Sequence, residues 1–280
     1  MKKRKKLIAK SVAVNIFFIA LCFITLIPVL YVLAVSFGKN DSLVSSGSGL
    51  LPQGFTFDNY IAVFREKPVL TWFGNTVLLA VCTVIISLVV SIPAAYAFSR
   101  MRFTGKKHIL RLIIILNAFP QILSMFAIYR LLSPLGLINT HAGLIMVYTG
   151  TMAIFGLWNM KGYFDTVPVE IEEAARIDGA TQRQVITKIL MPLAKPSIIV
   201  TGVMVLIYVW NEYIYATTFM TGADKYTLAA GLSSLQAGEM SGNWPKFAAA
   251  SLIVSLPVLI IFLAVQRNMV SGLSAGGVKG

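Results

Sequence analysis

Long uncharged runs dominate this sequence and constrain its fold more than any other feature. Six mostly apolar stretches lack Asp, Glu, Lys and Arg: Ser11–Gly38, Pro68–Ser99, Leu112–Tyr129, Leu131–Met160, Pro196–Asn211 and Phe247–Gln266. A helix needs about 20 apolar residues to cross ~30 Å of hydrocarbon, where every backbone polar group requires an internal partner. The fifth run continues as an apolar, aromatic segment beyond Glu212. The pattern predicts an all-α membrane protein with six transmembrane helices, near residues 12–36, 72–98, 109–131, 141–160, 197–220 and 247–266.

Composition agrees with a membrane protein. Only 12% of the residues are charged and mean hydropathy is +0.78, whereas soluble domains carry about 25% charged residues. The first apolar run follows MKKRKK and resembles a secretory signal in this respect. It is too long for the apolar region of a signal peptide and lacks an evident cleavage site, so an uncleaved first transmembrane helix is expected.

The distribution of basic residues predicts the orientation. With the N-terminus inside, the cytoplasmic segments 1–11, 99–111, 161–196 and 267–280 hold 18 of the 24 Lys and Arg residues. This bias places both termini in the cytoplasm. A net charge of +13 would suggest a nucleic-acid partner in a soluble protein. Here the basic residues are scattered among short loops, which argues against nucleic-acid binding, and membrane lipid is an expected partner of the spans.

Two predicted outside segments and one span leave alternatives open. Segments 38–70 and 221–246 are either solvated connectors with interfacial aromatics or a docking surface for an outside partner.

In the third span, Pro120 favours a kink and has Asn117 and Gln121 nearby. Such a span either faces a wet cavity or packs as an ordinary kinked helix. Asn117 and Gln121 are therefore candidate pore residues.

The cytoplasmic segment 161–196 predicts a compact helix–turn–helix. Pro168 suits a first helical turn, and Glu172 and Arg176 have the i,i+4 spacing of an ion pair on an exposed face. Gly179 suits the position just after a helix C-terminus. Thr181 and Gln184 form a capping-box pattern. An amphipathic stripe follows and ends at a proline: Val185, Ile186, Ile189, Leu190 and Pro192.

This unit could lie on the membrane or receive a cytoplasmic partner. A DNA-reading role is excluded by its position between two spans and its near-neutral charge. The stretch from Glu173-Ala-Ala through Gly179 to Ile189-Leu-Met-Pro192 resembles the EAA motif of ABC importer permeases, with Met191 where Leu is usual. The run Trp210-Asn-Glu-Tyr213 and the glycine-rich C-terminal tail resemble MalG-type permeases of carbohydrate importers.

The resemblance implies the type I ABC importer permease architecture in a prokaryotic cytoplasmic (inner) membrane. Three regions are then expected: 1–70 with the first span, the transporter core 71–266, and the cytoplasmic tail 267–280. The implied residues that couple to the ATPase are Glu172, Glu173, Ala174, Ala175, Asp178, Gly179, Ile189 and Pro192. The implied residues of the tail that approach the ATPase are Gly276, Gly277 and Lys279.

Partners and cargo also follow from the resemblance. It implies a second, MalF-like permease, two copies of an ATP-binding subunit and an extracytoplasmic sugar-binding protein. Maltose or maltodextrin is the expected cargo, with another sugar or glycerol phosphate as alternatives. No G-x4-G-K-[ST] sequence occurs, so ATP and Mg²⁺ are expected on the partner and this chain is not expected to be an enzyme. The solitary His108 and His141 lack metal-ligand spacing.

Glu212 is the one carboxylate within a predicted span. An intramembrane carboxylate indicates function by default, but it could instead reach the interface or pair structurally. Trp210, Asn211 and Tyr213 surround it in sequence and are candidate pore residues. An ion-coupled secondary transporter is the main competitor for the whole chain, although it predicts more midplane ionisable residues and internal repeats. A membrane scaffold without transport activity is the second.

Overall fold

The computed structural model describes residues 2–39, 54–237 and 243–277, and every regular element in them is helical. One π-helical turn spans Val185–Leu190. The α-helices in this part of the chain are α1 (Lys2–Ser36), α2 (Asp58–Glu66), α3 (Val69–Arg100), α4 (Lys106–Asn117), α5 (Gln121–Leu132), α6 (His141–Phe164), α7 (Val169–Ile177), α8 (Gln182–Gln184), α9 (Met191–Leu193), α10 (Lys195–Asn211), α11 (Ile214–Phe219), α12 (Leu228–Ala237) and α13 (Trp244–Gly277).

The chain divides into two compact units, residues 1–67 with 232–255 and residues 68–231 with 256–280. In the first unit, α2 is attached to the end of α1. The amide of Asn59 donates hydrogen bonds to the carbonyl oxygens of Ser36 and Gly38 at 2.9 and 2.8 Å. These hydrogen bonds therefore hold α2, the helix before α3 in the chain, against the end of the first span.

The second unit is built around α3, α6 and α10, whose packing is unusually close. A Cβ atom on Gly156 of α6 would lie 2.7 Å from Ser91 Oγ on α3 and 3.3 Å from Thr201 Cγ2 on α10. In lipid, the burial of apolar side chains adds little to the association of helices. Close van der Waals packing therefore matters more, and small residues make it possible. Part of the buried core on the predicted outer side of this unit consists of Leu79, Leu144, Tyr148, Val205, Val209 and Phe219.

Four of the predicted spans are confirmed as single helices. The helices long and apolar enough to cross a membrane are Lys10–Ser36, Val69–Arg100, His141–Phe164 and Trp244–Gln266. Two bent helix pairs raise the number to six if each pair is one span. The apolar residues of α1 are exposed from Val12 to Tyr31 in the isolated chain, as expected for a helix in contact with lipid, whereas Val35 near its end is buried.

The third span is broken rather than kinked. Lys106–Asn117 and Gln121–Leu135 meet at 100°. Pro120 has an extended ψ of 121° at the start of α5, cannot donate a helical hydrogen bond, and disfavours helical geometry at the preceding residue. The predicted span near 109–131 therefore consists of two helices with a sharp break between them, a stronger interruption than the predicted kink.

The fifth span also ends earlier than predicted. Helix α10 stops at Asn211, Glu212 is extended with ψ 119°, and the short helix α11 follows. The Glu212 carboxylate accepts backbone N–H groups of α11, an alternative to continuing the helix. A continuous helix over 197–220 is not present.

Candidate functional site

The predicted coupling loop folds as short helices joined by a tight turn. Helix α7 begins directly after Pro168, which is extended with ψ 133°. At its other end, the N–H of Ala180 donates to the carbonyl of Ala175 at 2.9 Å and the N–H of Gly179 donates to that of Arg176 at 3.0 Å. Gly179 has φ +86°. This is a Schellman motif, and the predicted glycine cap is confirmed.

The predicted capping box is also present. The N–H of Thr181 donates to Gln184 Oε1 at 2.7 Å, and Thr181 Oγ1 accepts from the N–H of Gln184 at 3.4 Å. The following turn is π-helical, and the N–H of Met191 donates to the carbonyl of Ile186. Pro192 has no N–H to extend the α-helical ladder. The apolar stripe is buried or half-buried: Val185, Ile186, Ile189 and Leu190.

One face of α7 is open to solvent in the isolated chain. Ile177 is 86% exposed, and three neighbours on the loop are also exposed. We call these four residues the coupling surface: Glu173, Ala174, Ile177 and Asp178. Among the other predicted coupling residues, Gly179 and Pro192 are exposed, while Ala175 and Ile189 are half-buried. Val169 and Ile171 of the same helix are also exposed, and exposed apolar patches with polar rims mark surfaces that receive a partner. The coupling role of these residues stays a prediction.

Glu172 differs from its neighbours because its side chain is completely buried. Arg100 Nε on α3 donates to Glu172 Oε1 at 2.5 Å. Glu172 Oε2 accepts from Tyr96 Oη at 3.2 Å and from Arg176 Nη2 at 3.3 Å. The predicted pair of Glu172 and Arg176 is therefore present, but the expectation that it lies on an exposed face is wrong. The carboxylate is turned inward, where two guanidinium groups offset the cost of burying its charge.

The end of α3 contacts both halves of the coupling loop. Tyr96 and Arg100 lie one helical turn apart on the same side of α3. Besides Glu172, Arg100 binds the carbonyl of Val167 through Nη2 at 2.7 Å. Gln182 Nε2 on α8 donates to the hydroxyl of Tyr96. Sequence reasoning missed these residues; the i,i+4 spacing of a Tyr and an Arg at the end of a span was the available signal.

A second, more exposed ion pair lies at the same junction. Asp165 accepts from Lys161 Nζ and from Ser99 Oγ on α3, both at 2.6 Å. Partial burial opposes ionisation of the carboxyl, but the hydrogen bonds from Lys161 and Ser99 outweigh it and lower the pKa of Asp165. Because its side chain is 44% exposed, solvent screens this pair more strongly than the buried one.

Glu212 is held by structural partners. Its Oε2 accepts from the hydroxyl of Tyr148 at 2.6 Å and from the N–H of Ala216 at 3.3 Å. Its Oε1 accepts from the N–H of Tyr215 at 2.8 Å. Of the alternatives left by the sequence, structural pairing is the one observed. The carboxylate supplies acceptors for the first N–H groups of α11, which the helix break leaves without helical partners.

Two of the predicted pore residues line one cleft. Asn117 and Gln121 stand on either side of the break between α4 and α5, beside a cleft of about 310 Å³. Their amides are polar groups on a mostly apolar wall. Other residues that line the cleft are Ser124, Met146, Thr151 and Tyr215.

The remaining pore candidates do not join this cleft. Trp210 is only 3% exposed, and its ring packs edge-on against Phe73 with centroids 6.0 Å apart. Asn211 is exposed, and its amide donates back to the carbonyl of Ile207 at 2.8 Å. Tyr213 is 46% exposed. The sequence neighbours of Glu212 thus have three different surroundings.

The predicted tail residues lie at the end of the chain. Gly276 and Gly277 end α13, and Lys279 falls outside the described residues. Within the described residues, no group of three or more His, Cys, Asp or Glu side chains is arranged to hold a metal ion.

Curated relatives cover most of this chain. It is 36% identical over 256 residues to the galactooligosaccharides transport system permease protein GanQ of Bacillus subtilis (strain 168), covering 90% of each chain. It is 38% identical over 269 residues to the maltose/maltodextrin transport system permease protein MalG of Vibrio vulnificus (strain YJ016), again covering 90% of each.

The fold is also found in a solved structure. A chain in the crystal structure of a bacterial ABC transporter involved in the import of the acidic polysaccharide alginate matches with a TM-score of 0.75 and 25% identity, covering 94% of this chain and 96% of that chain. The fold class predicted from the sequence, that of a type I ABC importer permease, is confirmed. Residues 87–273 match the sequence pattern of one family. The chain belongs to the binding-protein-dependent transport system inner membrane component family.

Proposed function

We propose that this chain is the permease subunit of an ABC importer that carries maltose or maltodextrin across a prokaryotic cytoplasmic membrane. The observation that carries the proposal is the coupling surface on α7. This helix has a Schellman cap and is followed by a capping box, so its shape is fixed by local hydrogen bonds. It presents Ile177 beside the carboxylates of Glu173 and Asp178. Such a surface suits a partner that pushes on the permease.

The energy source in this proposal is a separate protein. The chain has no Walker A sequence, so two copies of an ATP-binding subunit would bind ATP and Mg²⁺. A second permease would complete the pore, and an extracytoplasmic binding protein would deliver the sugar. ATP drives transport if the ATPases bind it more tightly in one pore conformation than in the other. The coupling surface would link that preference to the spans.

The sugar is supported by the relatives and by the cleft. The MalG and GanQ relatives are named for oligosaccharide transport. The cleft beside Asn117 and Gln121 offers amides that match sugar hydroxyls, on an apolar wall that suits the faces of sugar rings. A galactooligosaccharide is the second candidate, favoured by the likeness to GanQ.

Reconstitution tests the proposal. The complex with its cognate permease, ATPase and binding protein is placed in liposomes, and uptake of labelled maltotriose, a galactooligosaccharide and glycerol phosphate is measured with and without ATP. We expect saturable, ATP-dependent uptake of maltotriose. Uptake of the galactooligosaccharide instead would support the second candidate. No ATP-dependent uptake of any of these compounds would contradict the proposed function.

Glu173→Lys tests the coupling surface. We expect ATP-driven uptake to fall about tenfold or more, because lysine replaces the negative charge of Glu173 with a positive one. A tenfold fall corresponds to about 1.4 kcal/mol of lost docking free energy. The amount of chain in the membrane should be unchanged, since Glu173 is exposed.

The matched control is Glu170→Lys, which makes the same charge change at an exposed position of the same helix outside the motif. This variant should transport sugar at the parental rate. Parental uptake by Glu173→Lys at normal expression would contradict the assignment.

The competing secondary transporter needs an ionisable group that changes its proton or ion occupancy during transport. Glu212, the candidate, has both oxygens occupied by Tyr148 and backbone N–H groups. This supports a structural role. If uptake in the reconstituted system required a proton gradient and not ATP, the secondary transporter would be favoured instead.

A further inference from the structure

We propose that Tyr96, Arg100 and Glu172 form a latch that makes α7 and α3 move together when the coupling surface is displaced. We call these three residues the α3 latch. The inference rests on the proposed function and assigns a positioning role to side chains that a partner cannot touch. Glu172 is fully buried and the Arg100 side chain is 11% exposed.

The geometry of the latch fixes α7 in more than one direction. Both oxygens of Glu172 are engaged, one by Arg100 and the other by Tyr96 and Arg176. Arg100 also holds the carbonyl of Val167, just before α7. One guanidinium group therefore secures both the entry to α7 and its first turn. A single contact would allow α7 to pivot, whereas this arrangement resists both sliding and rotation.

The latch also reaches the second half of the coupling loop. The hydroxyl of Tyr96 accepts from Gln182 on α8 and from Arg176 on α7, while it donates to Glu172. The two helical parts of the loop are thus connected through one residue of α3. Displacement of either part would therefore act on the same residue of α3, Tyr96.

Helix α3 is suited to carry such a displacement into the membrane. Its 32 residues extend about 48 Å at 1.5 Å per residue. Near the latch α3 packs closely against α6 at Gly156, and a Cβ atom added to Gly202 of α10 would lie 3.6 Å from Val84 Cγ1 on α3. Close-packed helices transmit strain instead of absorbing it. Movement of the α3 end would therefore shift the three central helices of this unit.

Buried charge makes the latch stiff and also makes it testable. Removal of one partner of a buried ion pair leaves an uncompensated charge, whereas apolar replacement of both partners is often tolerated. The double variant Arg100→Met with Glu172→Leu removes the buried ion pair of the latch, and Arg176, the other partner of Glu172, has a 41% exposed side chain that solvent can reach. The single variant Glu172→Gln leaves Arg100 unpaired. Asp165→Asn is the matched control, since it removes an exposed ion pair that also meets α3.

The experiment measures sugar imported per ATP hydrolysed by the whole reconstituted transporter. Co-purification of the ATPase and the thermal midpoint are recorded for each variant. We expect the double variant to keep a parental amount of bound ATPase, because the coupling surface is intact. Its import per ATP should fall about tenfold or more, within the range typical of coupling between two sites. Asp165→Asn should keep the parental ratio.

The outcomes separate the two claims. If the double variant is folded, binds the ATPase and imports the parental amount of sugar per ATP, the latch is wrong and the proposed function stands. A fall in both hydrolysis and import in proportion to lost folded protein would show a merely structural role and would also overturn the latch. If the parental complex imports none of the tested compounds with ATP, the proposed function itself fails.

Discussion

Glu172 and Glu212 are two carboxylates in mostly apolar surroundings, and their partners differ in kind. Glu172 is neutralised by two arginines. Glu212 has no such cation among its hydrogen-bond donors; it accepts from the hydroxyl of Tyr148 and from two backbone N–H groups. A charged acceptor strengthens each of these hydrogen bonds. Loss of one donor therefore leaves part of a charge unsatisfied at a half-buried position.

Tyr148→Phe should destabilise the chain because Tyr148 is fully buried and its hydroxyl meets Glu212 at 2.6 Å. Hydrogen bonds to charged groups contribute about 1.5 to 3 kcal/mol, so the thermal midpoint of detergent-purified protein should fall by a few degrees. Tyr213→Phe makes the same change at a 46% exposed ring and should leave the midpoint unchanged. Equal midpoints for the two variants would contradict this account of Glu212.

At individual positions, the sequence predicted what local hydrogen bonds decide. Gly179 and the pair Thr181 and Gln184 were predicted because a helix end is defined by a few consecutive residues. The burial of Glu172 was not predicted, because it depends on Tyr96 and on Arg100, which is 72 residues away in the chain. Local spacing pairs Glu172 with Arg176 correctly but does not say which way the pair faces.

The central helices α3, α6 and α10 are held together by small residues at close range. At Gly156 the three helices approach closely, since Ser91 and Thr201 occupy the space that a side chain would need. In a bilayer, association of helices depends on van der Waals packing and hydrogen bonds, so such a point carries more weight than it would in water. The helix interface should therefore be sensitive to one added methyl group.

Gly156→Ala should destabilise the second unit even though alanine is the better helix former. Overpacking typically costs about 1 to 3 kcal/mol, which exceeds the propensity gain of about 1 kcal/mol at most. Gly162→Ala on the same helix has no atom within 4 Å of the new methyl group and should be neutral or stabilising. Thermal unfolding in detergent compares the two. A Gly156→Ala midpoint at or above that of Gly162→Ala would refute the close-packing argument.

Among the helices, hydrophobic length predicted the long spans but not the interruptions. The helices α1, α3, α6 and α13 follow directly from apolar runs long enough to cross a membrane. The third run and the segment 197–220 are also mostly apolar, yet the helices end at Asn117 and Asn211. Both interruptions depend on backbone hydrogen bonds around Pro120 and Glu212, to which a hydropathy average is insensitive.

The whole chain is strongly asymmetric in charge. No Asp or Glu occurs between Glu66 and Asp165, and the segment 99–111 holds five of the 24 basic residues. Positively charged loops are retained on the cytoplasmic side during insertion. The same orientation would bring the coupling surface to the compartment that supplies ATP. The charge distribution that sets the orientation would therefore also put the coupling surface on the side of the membrane where it can act.

Cysteine labelling tests this orientation. In a variant with Cys22→Ser and Cys82→Ser, Ile177→Cys lies at an 86% exposed position and Phe57→Cys at a 59% exposed position. We expect a membrane-impermeant maleimide to label position 57 in intact spheroplasts and position 177 only in inside-out vesicles. The cysteine-free parent measures background. Labelling of position 177 from the outside would reverse the predicted topology.

The α3 latch also has a consequence for how this sequence can change over generations. A mutation that removes Arg100 leaves the buried Glu172 without its nearest cation, and the reverse change strands the arginine. Either change alone lowers fitness if the latch works as proposed, and only a paired change that rebuilds a buried ion pair would keep the latch. Substitutions at these two positions, which are 72 residues apart in the chain, would then be expected to occur together. Substitutions that adapt the coupling surface to a new ATPase remain free to accumulate beside them.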